Sequence, residues 1–331
     1  LLACASPLRS TAPRRSRPRS TARVLGEAAL PACASWRRSD CRGHRRPAIG
    51  RLGRSGKSTS RAKSDSQLVS ELIGPTADVF QAGTFSTADI LALDRIAACA
   101  WPAPESTFLG GWQLRFGDGV SRRANSCAPF PPAPSAAEFE DRVRTVETFY
   151  QHHGLPPRFQ ISPAAIPDGL DDALAQRRYV IEAPVNILVA PNNAVARLQT
   201  QDDLVTVDEQ APNDWWRFYI NAFDRDASGI LAGARDTVGF ASVRGSSGIE
   251  TIGLGVIGGG WLGIFGMFTL HAHRGRGRAK QLMTTLAAWA LARGAFGIYL
   301  QVEDHNDGAR RLYERLGFKC VYGYHYRTLW T

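Results

Sequence analysis

Apolar residues return every three to four positions over residues 136–152, where Phe139, Val143, Val146 and Phe149 or Tyr150 share one side of a helix. The same period governs 279–292, with Leu282, Met283, Leu286 and Trp289 or Ala290 in line. Shorter runs rich in β-branched and aromatic residues read as strands. The first half of the chain is thus expected to hold a helix over 86–100, strands over 111–116 and 120–127, and a proline-rich loop over 129–134. The helix over 136–152, a strand over 158–161, a helix over 168–176 and a strand over 179–190 follow. Acidic residues over 202–208 and the Gln210-Ala211-Pro212 segment read as a join. Beyond it the order returns: a helix over 214–223, strands over 238–243, 252–256 and 261–270, and the helix over 279–292. A strand over 297–302, a helix over 307–316 and a strand over 318–327 close the chain.

Residues 251–270 carry no charge, and Gly255 and Gly259 have the spacing of a membrane helix-dimer motif. Seven glycines in that stretch, with the turn signal Gly258-Gly259-Gly260, favour a hairpin instead. No membrane span is therefore expected. The two halves also match in places. Gly154 and Phe159-Gln160-Ile161 fall on Gly294 and Tyr299-Leu300-Gln301 at an offset of 140, and Arg178-Tyr179 fall on Gly317-Phe318 at 139. A near-constant offset across successive elements points to duplication.

With 331 residues at 44% hydrophobic content there is material for two domains and a sizeable core. Wholesale disorder and a collagen-like repeat are excluded, and six Cys are too few for a disulfide scaffold. The formal charge of +10 changes meaning once divided. Residues 1–63 hold 16 Lys and Arg against Glu27 and Asp40, so they carry +14 and the remainder −4. This basic leader lacks an apolar face and reads as disordered. It is similar in composition to an organelle transit peptide, and a basic arm of this kind can also hold phosphates. Because the chain begins at Leu1, the simplest expectation is sequence upstream of the native start. The cysteines form no C-x-x-C pair and have no His at zinc spacing, so no metal site is expected and a reducing, cytoplasmic setting is.

Candidate chemistry sits in His271-Ala272-His273-Arg274-Gly275-Arg276-Gly277-Arg278-Ala279, between an apolar strand and an amphipathic helix. A glycine-rich turn entering a helix offers backbone N–H groups at the positive end of the dipole, a ready anion site. Gly275 and Gly277 allow close approach, and Arg274, Arg276 and Arg278 add charge. The run has neither Gly-Lys-Ser/Thr nor G-x-G-x-x-G, and an RGG-type nucleic-acid segment would lie in a disordered tract. A second constellation follows the strand at 297–302: Asn306, Ala309, Leu312-Tyr313 and Gly317-Phe318 in the pattern N-x-x-A-x-x-L-Y-x-x-x-G-F.

Together these two segments resemble the GNAT N-acetyltransferase superfamily, over about residues 205–331. Arg274-x-x-Gly277-x-Ala279 matches its acyl-CoA pyrophosphate loop. More loosely, Gly111-Trp112-x-Leu114-Arg115 and Arg123-Ala124-Asn125-Ser126 resemble the degenerate half of bacterial two-domain members. The resemblance implies an α/β (α+β) fold of tandem GNAT-like domains, each a mixed, mostly antiparallel sheet flanked by helices. It implies a degenerate domain over 64–200 that binds no acetyl-CoA, Leu174 standing where Tyr313 stands. The catalytic domain, 201–331, would carry a splayed parallel strand pair.

The implied activity is acetyl-CoA-dependent transfer of an acetyl group to a primary amine, by direct attack in a ternary complex. By family position Tyr313 is the candidate acid, and main-chain groups of Phe268, Thr269 and Leu270 would pair with the pantetheine arm. Asn306 either holds that arm or caps its helix. The base is open, since 261–270 holds no acid; Glu303 is the nearest carboxylate, Asp304 the second, and a water relay would serve equally. Cys320 reads as a small core residue, His271 and His273 as loop residues, and Tyr322, Tyr324 and Tyr326 as one side of the last strand. A small-molecule or peptide amine is the expected partner of a monomer or weak homodimer. The rivals are a non-catalytic acyl-CoA-binding module and a nucleic-acid-binding protein acting through the leader; nucleic acid is the less expected partner.

Overall fold

In the first half, α1 (Val79–Ala82) and α2 (Thr87–Ala100) precede β1 (Glu105–Leu109), β2 (Trp112–Phe116) and β3 (Cys127–Pro129). Then come α3 (Ala136–His152), β4 (Arg158–Ile161), α4 (Leu170–Gln176) and β5 (Val180–Pro191). The second half runs through α5 (Asn192–Ala196), β6 (Val205–Asp208), α6 (Asn213–Phe223), α7 (Ser228–Leu231), β7 (Thr237–Gly245), β8 (Gly248–Gly258) and β9 (Trp261–Thr269). A single 3₁₀ turn (His271–His273) leads to α8 (Arg278–Leu291), β10 (Gly297–Glu303), α9 (Asp307–Arg315) and β11 (Lys319–Thr328). The computed structural model describes residues 75–200, 204–234 and 236–330, all within one unit of the chain. The basic leader and the expected onset of order near Ser64 lie outside the described residues.

The fold is the mixed α/β one expected from the family resemblance, and its strands join in one sheet, ordered β1-β2-β3-β4-β11-β5-β10-β9-β8-β7-β6. The two halves exchange their last strands. β11 lies between β4 and β5, and β5 lies between β11 and β10, with all three pairings antiparallel. On either side of this centre stands a parallel pair, β3 with β4 and β9 with β10.

Alternation along the strands then fixes two faces. Tyr322, Tyr324 and Tyr326 of β11, Val185, Ile187 and Val189 of β5, and Tyr299 of β10 are buried on one face, under α2 and α6. Leu188, Leu262, Ile264, Leu300 and Val302 point to the other, where α8 and α9 pack with Leu282, Leu286 and Tyr313. A third cluster, Trp112, Val143, Val146, Tyr150, Phe159 and Leu174, holds α3 and α4 to the first half, as the helical period of 136–152 predicts.

The hairpin expected over 251–270 forms, with Gly258 paired to Trp261 across Gly259-Gly260. No helix of the described residues is long and apolar enough to cross a membrane. Two local expectations are corrected and one strand is added. Residues 120–126 form a turn rather than a strand, because the Asn125 side chain takes over the backbone groups. Its Oδ1 accepts from the Gly117 and Gly119 N–H groups at 2.9 and 3.1 Å, and its Nδ2 donates to the Ser121 carbonyl at 2.8 Å. The exposed strand β1 pairs with β2, unannounced by any apolar alternation. Part of the expected join is the edge strand β6, with Val205 and Val207 packed toward α8.

Candidate active site

β9 and β10 run together only from Trp261/Gly297 to Ile264/Leu300. Past that point β9 bulges, the register against β8 shifting between Ile252 and Leu254, while β10 stays with β5 through Glu303. The strands therefore part at Phe265, and a cavity of about 340 Å³ opens between them. Because it passes through the sheet, both faces line it. Leu300, Val302, Asn306 and Tyr313 stand on the α9 side; Trp101, Arg123, Tyr219, Phe265, Tyr324 and Tyr326 stand on the other.

Tyr313 is 8% exposed and edges into the cavity from α9, its ring 6.0 Å from that of Phe318. Burial pushes its phenol up to about 12. Glu303, at the end of β10, also reaches the cavity but is 44% exposed. Its carboxylate is 3.5 Å from Arg122 Nη1 and 3.3 Å from His305 Nε2. Asp304 points elsewhere, accepting from Asn186 Nδ2 at 2.9 Å. Asn306 does cap α9, its Oδ1 accepting from the Ala309 N–H at 3.2 Å, and it lines the cavity as well. Cys320 is exposed rather than packed in the core and lies outside the cavity lining, because the β11 register shifts between it and Tyr322.

The loop into α8 has the geometry of an anion cradle. Gly275 and Gly277 take φ of +74° and +78°, and no atom lies within 4 Å of where a Cβ would stand on either. Gly277 is the N-cap of α8, whose first turn carries no acid. The arginine side chains are less free than their sequence suggests. Arg274 folds back, its Nε donating to the Thr269 carbonyl at 3.2 Å and its guanidinium 5.9 Å over Phe268. Arg278 bonds Glu250 at 2.7 Å, and Ala279 is half-buried behind it, which leaves Arg276 exposed. Of the main-chain groups expected to meet a pantetheine arm, the Leu270 N–H turns back to the Glu250 carbonyl at 3.0 Å. The stretch of β9 on the cavity is 264–267, just before Phe268, Thr269 and Leu270.

A family model described as "Probable histone acetyltransferase Rv0428c C-terminal" matches residues 87–327. The "Uncharacterized N-acetyltransferase YobR" of Bacillus subtilis is 30% identical over 247 residues, 72% of this chain and 98% of that protein. The chain belongs to the GNAT superfamily of N-acetyltransferases. Among solved structures, a GCN5-related N-acetyltransferase from Kribbella flavida aligns at a TM-score of 0.57 and 17% identity, over 72% of this chain and 94% of its own. A tandem GNAT protein from the clavulanic acid biosynthesis pathway aligns at 0.55 and 11%, over 80% and 95%. The match spans both halves, so the fold is that of a tandem GNAT protein, here with both halves in one sheet.

The resemblance over 205–331 left one part of the GNAT cleft unread: its far wall. Trp101, Ser121, Arg122 and Arg123 reach it from the first half. Arg123-Ala124-Asn125-Ser126 was the available signal. Asn125 and Ser126 build the turn, Ser126 accepting from buried Arg115 at 2.9 Å, and the turn presents Arg122 and Arg123 to the cavity. Among the described residues no group of His, Cys, Asp and Glu is placed to hold a metal ion.

Proposed function

We propose that the second half binds acetyl-CoA and transfers its acetyl group to a primary amine within a ternary complex. The observation that carries this reading is the parting of β9 and β10 at Phe265, with Tyr313 and Glu303 on the resulting cavity. The residues present fit the cosubstrate. Gly275 and Gly277 leave the backbone open to pyrophosphate oxygens at the acid-free start of α8, with Arg276 adding charge. The edge of β9 from 265 toward Thr269 would receive the pantetheine amides as an added strand. Asn306, its Oδ1 used by the cap, keeps its amide N–H₂ for the same arm.

Bound there, acetyl-CoA supplies an acyl group activated as a thioester. Tyr313 holds a proton at its phenol oxygen for the departing sulfur. With its phenol raised to about 12 it stays neutral up to pH 10, and the same dry surroundings raise a thiol beside it, which brings donor and acceptor closer. Glu303, at the wet end of the cavity, takes the proton of the incoming ammonium and passes it to solvent.

Calorimetric titration of the full chain with acetyl-CoA tests the reading, beside Gly277→Glu. Placing a carboxylate at the N-cap of α8, on a residue at φ +78°, is expected to weaken binding at least about a hundredfold. A variant that binds as tightly as the parent would move the cosubstrate off this loop and refute the reading.

A further inference from the structure

The wall opposite Tyr313 carries one sign of charge. Arg122, Arg123 and Arg225 line the cavity against a single carboxylate, Glu303. Arg122 is matched, its Nε 2.7 Å from Glu182 and its Nη1 3.5 Å from Glu303. Arg225 donates to the Val120 and Phe223 carbonyls. Arg123 meets no carboxylate among the described residues. Its guanidinium lies 5.2 Å over the ring of Phe265, the residue at which the strands part, and its buried Nε has no hydrogen-bond partner. A half-buried guanidinium stacked on an aromatic ring presents a rigid fork of donors that an anionic, planar group completes.

We infer that Arg123 is the anchor for a carboxylate on the acceptor, so that the amine acetylated is a small amino carboxylate. This rests on the reading of the cavity as the acetyl-transfer site, and it gives the first half a task there: it selects the acceptor. The neighbouring phenol of Tyr324, which donates to Gln301 Oε1 at 2.8 Å, is raised by burial and stays neutral, so it adds no competing negative charge. A lysine-rich tail brings further cations to an arginine wall and is disfavoured by the same field.

The test uses the full chain saturated with CoA, so CoA binding is established first and its absence would strike the acetyltransferase reading alone. Matched probes are then titrated by calorimetry: β-alanine against propylamine, 4-aminobutyrate against butylamine, and a lysine-rich decapeptide. At least one amino carboxylate is expected to bind about tenfold or more tighter than its alkylamine and than the peptide. Arg123→Gln is expected to erase that preference with CoA affinity kept, while Arg123→Lys keeps part of it. Equal binding within both pairs, no binding by either carboxylate, or a preference that survives Arg123→Gln would overturn the assignment.

Discussion

The parallel pairs β3/β4 and β9/β10 hold equivalent places on either side of the exchanged strands, and their surroundings differ in four ways that bear on chemistry. β3 has only three residues and meets β4 at Cys127/Phe159, beside a buried Arg115 whose guanidinium is spent on Ser126 and Gln160. The loop after β3 contains Pro131, Pro132 and Pro134, which lack the N–H groups an anion needs, where the loop after β9 has Gly275 and Gly277. The start of α3 is already occupied: the Glu138 carboxylate accepts from the Ser135 N–H at 2.9 Å and hydroxyl at 2.8 Å. Leu174, fully buried, stands where the second half has Tyr313. The first half thus keeps the helix and the strands but not the open glycine turn, and its own Glu138 occupies the helix start.

The comparison can be tested first where the halves are bonded together. Tyr322 of β11 donates to Asp94 of α2 at 2.8 Å, and burial raises that carboxyl from 3.8 to about 6. A raised aspartate contributes stability that is present in acid and lost as pH climbs through about 6, a cost of about 3 kcal/mol at neutral pH. Asp94→Asn keeps an acceptor for Tyr322 without that loss. Its unfolding free energy is expected to match the parent's near pH 3.5 and to exceed it by a margin that opens between pH 4 and 6. Denaturant melts at several pH values measure this, and a margin independent of pH would mean that the carboxyl is not buried between the halves.

Next in size, Tyr313→Phe is expected to lower kcat at least tenfold, about 1.4 kcal/mol of barrier, with acetyl-CoA affinity nearly unchanged. Leu174→Tyr should alter neither, and should only strain the packed first-half core by roughly 1–3 kcal/mol. Equal kcat for Tyr313→Phe and the parent removes the phenol from the chemistry. The smallest effect is expected at exposed Glu303: Glu303→Gln should slow turnover a few-fold and move the acid limb of the pH–rate profile, and an unmoved profile would leave the proton to water.

Which parts of this were legible in the sequence follows from how local their causes are. The turn at Gly275 and Gly277 and the helix carrying Tyr313 are each set by residues within about a dozen positions, and both appear where their spacing places them. The exchange of β5 and β11 has no local mark, because either strand satisfies its alternation beside any partner. For that reason the far wall was missed. Arg123 reaches Phe265 only once the first half is laid against the second, although its turn could be read from Asn125. The short strands β1 and β6 lie at the two edges of the sheet; β1 is exposed and carries no apolar period, and β6 offers only Val205 and Val207 within an acidic stretch.

The exchanged strands also set the order in which the molecule can be made. Thr328 pairs with Arg158, 170 residues earlier, so β4 and β5 each keep a bare edge until the last ten residues of β11 have been synthesised. A protein of two separate domains can finish the first during translation. Here β4 and β5 of the first half gain their shared partner only with the end of the second. A chain ending within residues 304–318 therefore keeps two bare strand edges and lacks Tyr324 and Tyr326 from the cavity wall.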